Sequence, residues 1–111
     1  MLENVTVHDL AEAIGRGDPV VDVRSPEEYV AGHVPSAILL PMQLVPSHLA
    51  DLRTDTPVHL ICEVGARSWR VGQFLAEQGI PSRNVDGGTA RWRELGWPIE
   101  TGLSAAPPAD E

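Results

Sequence analysis

The 111-residue sequence contains no lysine, a single cysteine, one phenylalanine, one tyrosine and no long apolar run. Each shortage excludes something. Without lysine there is no Schiff-base or lysine-base chemistry, and all eight basic side chains are arginines. Sixteen acidic residues outnumber them, for a formal net charge of −8. An acidic chain with no basic stripe is not expected to partner nucleic acid or an anionic membrane surface. One cysteine forms no intrachain disulfide, so the fold does not need an oxidising compartment. It also leaves no second thiol in the chain, so an intermediate formed on it must be discharged onto another molecule. No segment approaches the ~20 apolar residues of a membrane-spanning helix. The N-terminus lacks the basic and apolar regions of a signal peptide. The cytoplasm is the expected location.

What is present is an ordinary hydrophobic fraction, 42%, in a length suited to one domain with one core. Thr6 and Asp9 suit the start of a helix whose apolar face is Leu10, Ala13 and Ile14, closed by Gly15 and Gly17. Val20–Val23 reads as a buried strand, followed by a short helix with Ser25 as cap, Pro26 in its first turn and Glu28 completing a capping box. A strand is expected over Ala37–Leu40, one or two helical turns over Gln43–Leu49, and a polar loop over Asp51–Pro57. A third strand begins at Val58, a helix spans Trp69–Gln78, a last strand covers Arg83–Asp86, Gly87-Gly88 makes a sharp turn, and a helix runs from Thr89 to Leu95. Residues 102–111 lack periodicity and read as a disordered tail. Strands alternating with helices at this pace indicate an α/β fold with a largely parallel sheet.

The stretch richest in chemistry follows the third strand: Cys62-Glu63-Val64-Gly65-Ala66-Arg67-Ser68. It places the lone thiol where a buried strand stops, just ahead of a helix. Helix N-termini carry unpartnered N–H groups and a partial positive charge, so they stabilise anions, a thiolate among them. Gly65 permits positive φ and inward-facing amides. Arg67 adds a planar fork of donors suited to oxyanions. A cysteine ending a strand is often simply a small buried hydrophobe. That reading leaves the Gly, Arg and Ser which follow unexplained. His8, His48 and His59 have no ligand spacing with Cys62, so no metal site is expected. Asp22 and Arg24 point to one side of their strand and read as a structural ion pair. Trp69 and Trp92 read as packing residues, with Trp69 the better placed for the site rim.

Four segments, in order, resemble the rhodanese-like domain family: Val20–Arg24 with Glu28-Tyr29; Gly32–Ala37; Cys62–Ser68; and Asp86-Gly87-Gly88 with Trp92, Gly96 and Pro98. The resemblance spans residues 1–101. It implies a rhodanese-like α/β fold on a five-stranded sheet flanked by helices on both faces. It further implies transfer of sulfane sulfur through a persulfide on Cys62, from thiosulfate or a persulfide to a thiol or cyanide. Cys62 and Arg67 would be catalytic, with Arg67 positioning the anionic donor or bracing the loop, and Glu63, Val64, Gly65, Ala66, Arg67 and Ser68 would bind substrate, with no cofactor. A protein acceptor, or a partner-binding module that relays sulfur only inside a complex, is the alternative. His33 would be structural. Protein tyrosine phosphatases use a related loop with five residues between cysteine and arginine; here there are four, which argues against a phosphate cradle. Glu63 departs from the neutral or basic residue usual beside the cysteine. A carboxylate there disfavours a thiolate and repels dianionic thiosulfate, unless it points to solvent or a neighbour such as Arg70 neutralises it; the remaining alternative is that it selects a donor less negative than thiosulfate.

Overall fold

Alternation sets the sheet. In the strand starting at Val58, residues Val58, Leu60 and Cys62 face one core cluster while Ile61 faces another. A strand apolar on both faces must be covered on both. A computed structural model of the chain, described here for residues 1–103, shows how. The elements are β1 (Leu2–Val5), α1 (Val7–Arg16), β2 (Val20–Asp22), α2 (Pro26–Ala31), β3 (Ile38–Leu39), a 3₁₀ segment (Met42–Leu52), β4 (Val58–Ile61), α3 (Ala66–Glu77), β5 (Ser82–Val85) and α4 (Gly88–Glu94). The five strands are ordered β1-β5-β4-β2-β3, and every pairing is parallel. Val71 and Leu75 of α3, with Val45 and Leu52 of the 3₁₀ segment, cover one face. Leu10 of α1, Tyr29 of α2 and Trp92 of α4 cover the other. The expected α/β architecture, a five-stranded parallel sheet covered by helices on both faces, is therefore the one observed.

Both capping boxes read from the sequence are made. Thr6 accepts from the Asp9 amide and Ser25 from the Glu28 amide, with each acidic side chain returning to the cap's own N–H. Four expectations are corrected. β1 is a strand that the sequence pattern does not announce, because Leu2-Glu3-Asn4-Val5 has no alternation and lies at the sheet edge. Gly72 in α3 leaves the space that the Leu2 side chain fills. The helix expected to begin at Trp69 begins at Ala66, so Arg67 and Ser68 lie in its first turn rather than in the loop. Asp51 and Leu52 belong to the 3₁₀ segment, which tolerates Pro46 and breaks its helical geometry at His48. Gly87-Gly88 is not a simple turn: α4 already starts at Gly88. Gly102 donates its N–H to Val30 O at 2.8 Å. The rest of the expected tail, 104–111, lies outside the described residues.

Candidate active site

The C-terminal ends of the central strands are where ligands bind in open parallel α/β sheets. Cys62 follows β4 directly, at the sheet centre, and is only 1% exposed. Three donors surround its sulfur. The Gly65 amide lies 3.1 Å from Sγ, the Ser68 amide 3.4 Å and the Ser68 hydroxyl 3.2 Å. The geometry arises because Gly65, at φ 115°, turns the chain back and caps α3, which has no side-chain cap of its own. The Gly65 and Ser68 amides, at the start of α3, thus face the sulfur instead of a helical carbonyl. This arrangement favours negative charge on Sγ.

The base of the loop is strapped to the start of α4. Cys62 O accepts from the Thr89 amide at 2.9 Å and from its hydroxyl at 3.0 Å, while Glu63 O accepts from the Ala90 amide at 2.9 Å. Gly88 is required there: a Cβ on it would lie 2.6 Å from both carbonyl oxygens. The double glycine read in the sequence therefore serves a close approach between backbones. Behind the loop, Ser68 Oγ contacts Asn84 Oδ1, and Asn84 Nδ2 donates to Asn4 Oδ1 at 2.9 Å. Asn4 and Asn84 are paired across β1 and β5, so the missed strand β1 buttresses the site. Nothing in the local pattern of Asn4 signals this, since the contact spans most of the chain.

The charged residues form two ion-pair groups. Arg24 is buried and binds Asp22 through Nε at 3.0 Å and Nη2 at 2.9 Å, and donates to Gly32 O at 2.7 Å. The ion pair expected of Asp22 and Arg24 is present. Arg24 also reaches Glu63 at 3.1 Å, and Arg93 of α4 holds the other Glu63 oxygen at 3.0 Å. Arg70, the neighbour suggested for Glu63 by sequence proximity, makes no such contact among the described residues; it lines a depression together with Val64, Gly65 and Ala66 of the loop. Arg67 binds Glu28 of α2 through two parallel bonds of 2.8 Å. That guanidinium, with help from the Ser25 amide, lowers the Glu28 pKa to about 2.

The structure thus brings Cys62, Gly65 and Ser68 together, and turns the Arg67 and Glu63 side chains into ion pairs. The Ala66 amide lies in the first turn of α3, and Val64 is exposed. The depression, of about 560 Å³, is lined by Asn4, Gly65, Ala66, Trp69, Arg70 and Asp86 among others. Trp69 is at its rim, whereas Trp92 is buried and donates to Pro98 O at 2.7 Å. His33 is buried, stacked on Tyr29 at 3.7 Å, and its backbone exchanges two bonds with Glu100. Among the described residues no three His, Cys, Asp or Glu side chains gather as a metal site.

The family model for the rhodanese-like domain matches residues 6–95, through the cysteine loop and the double glycine. The chain belongs to the rhodanese-like domain family. This rhodanese-like chain is 32% identical over 102 residues to a protein named sulfurtransferase from Allochromatium vinosum, spanning 89% of this chain and 95% of that one. The crystal structure of a rhodanese-like domain protein from Staphylococcus aureus superimposes with a TM-score of 0.80 at 30% identity, covering 90% of this chain and 98% of that one. A rhodanese-related protein from Thermoplasma volcanium gives 0.82 at 30% identity, covering 90% and 99%.

Proposed function

We propose that this rhodanese-like domain is a sulfurtransferase that carries sulfane sulfur as a persulfide on Cys62. The supporting observation is the sulfur itself, held by the Gly65 amide and both donors of Ser68 at the end of the central strand. A named sulfurtransferase among its relatives supports the general role. The Cys62 thiolate attacks the outer sulfur of a donor such as thiosulfate or an organic persulfide. The donor's S–S bond breaks, its electron pair leaves on sulfite or thiolate, and Cys62 retains the transferred sulfur. A thiol or cyanide acceptor then attacks that outer sulfur and Cys62 leaves as thiolate. The transfer is split into two steps of ping-pong type.

The amides of Gly65, Ala66, Arg67 and Ser68 stabilise the anionic sulfur in both steps. Arg67 is a brace: its pair with Glu28 ties the loop to α2. Glu63 and Val64 shape the mouth beside the sulfur. Neither step calls on a metal or organic cofactor. No helix among the described residues is long and apolar enough to cross a membrane. A reducing cytoplasm, where the lone thiol stays reduced, is the setting we infer. The test is steady-state thiocyanate formation from a sulfane donor and cyanide by the purified chain alone. Turnover that vanishes in Cys62→Ser is the expected result. Persulfide loading without turnover would favour a relay module that needs a protein acceptor.

A further inference from the structure

Each arginine side chain tied to the sulfur loop is already matched by a carboxylate. Arg24 lies between Asp22 and Glu63, Arg93 holds the second oxygen of Glu63, and Arg67 is bidentate on Glu28. Three arginines meet three carboxylates. What remains for an incoming anion is the row of loop amides and the N-terminal end of α3, equivalent to roughly half a positive charge. The chain as a whole is at −8, so its long-range field repels anions further. Arg70 makes no ion pair among the described residues, but its depression also contains Asp86. A half charge suits a monoanion better than a dianion.

We infer that Glu63 determines donor class: by occupying Arg24 and Arg93, it selects monoanionic sulfane-sulfur donors, such as organic persulfides or thiosulfonates, over dianionic thiosulfate. The inference rests on the sulfurtransferase reading and narrows its substrate. The chemistry is the same for either class. With a thiosulfonate, the Cys62 thiolate attacks the terminal sulfur, the S–S bond breaks, the sulfinate leaves with the electron pair, and a Cys62 persulfide anion remains. With thiosulfate, sulfite leaves instead. The two donors differ chiefly by one unit of charge, which makes them a matched pair of probes.

The experiment measures the rate of one-sulfur loading of reduced protein from methanethiosulfonate and from thiosulfate, by mass spectrometry, and follows the ratio of the two rates. Glu63→Gln frees both arginines, while Arg24 keeps Asp22 and Gly32 O, so the fold is retained. One unit of charge a few ångströms from the incoming donor, in a dielectric near that of water, corresponds to roughly a three- to tenfold effect. The thiosulfonate-to-thiosulfate ratio is expected to fall by that factor in Glu63→Gln. It is expected to rise in Arg93→Ala, which leaves Glu63 less neutralised, and both shifts are expected to shrink in high salt. Loading from both donors with ratios unmoved in the two variants overturns the inference and leaves the sulfurtransferase reading standing. So does a ratio that responds to Arg70→Ala alone, which would put the anion in the depression. Failure of wild type to load from either donor overturns both.

Discussion

Gly88→Ala is the sharpest perturbation of the loop that leaves every loop residue in place. The new methyl carbon would lie 2.6 Å from Cys62 O and from Glu63 O, both backbone atoms, at a residue with φ 56°. A side chain at that φ costs roughly 1 kcal/mol by itself. Relieving the contact requires the start of α4 to move away from the loop, which stretches the Thr89 and Ala90 bonds to those carbonyls. Losing two such bonds costs about 1 kcal/mol each. The sum is a destabilisation of about 3 kcal/mol, measured by urea denaturation. Gly15→Ala is the control: it lies within α1, and a Cβ there meets nothing within 4 Å. It should be neutral or stabilising by up to roughly 1 kcal/mol. Because the straps fix the loop, Gly88→Ala should also slow sulfur loading of the fraction that remains folded. A loss below about 0.5 kcal/mol with unchanged loading would refute the strap.

The Glu28 carboxylate has its pKa lowered to about 2, chiefly by Arg67, from an ordinary value of 4.5. A lowered acid stabilises the fold above its unfolded pKa, and that contribution is lost as pH falls from about 4.5 through about 2. Since the pair is about one-third exposed, we expect about 1 kcal/mol; melting of Glu28→Gln against wild type between pH 6 and pH 2 should converge at the acid end. Burial, with Arg83 nearby, lowers the pKa of His59. The unfolded chain therefore binds that proton first, so stability should decline as pH drops below about 6.5, and His59→Gln should flatten the decline. Ser68→Ala removes one of three donors on Sγ and should slow alkylation of Cys62 by iodoacetamide several-fold at neutral pH; leaving the buried Asn84 Oδ1 without that partner should also lower stability by about 1–3 kcal/mol. An unaltered alkylation rate would mean the hydroxyl serves Asn84 alone.

The core layout was legible in the sequence because its signals are local. Capping boxes at Thr6 and Ser25, the apolar run Val58–Ile61 and the helical spacing of Val71 and Leu75 each depend on residues within a few positions. Cys62 and Gly65 could be placed by the same means. What escaped depends on distance along the chain. β1 is held by parallel pairing with β5, some eighty residues later, and Asn4 is tied to the site through Asn84. The partners of Glu63 and Arg67 come from β2's end, α2 and α4, so sequence proximity pointed to Arg70 for Glu63 and left the Arg67 brace open. The start of α3 is hidden from periodicity because Ala66, Arg67 and Ser68 carry none; Gly65 turning the chain is what begins the helix.

The central claim is that Cys62 carries sulfur, and intact-protein mass tests it most directly. Reduced wild type and Cys62→Ser would be incubated with a sulfane donor, thiosulfate and an organic persulfide in parallel, then exposed to cyanide. A gain of one sulfur on wild type alone, removed by cyanide with stoichiometric thiocyanate, is the predicted result. Wild type that gains no sulfur from either donor, or Cys62→Ser that gains it equally, would contradict a persulfide on Cys62.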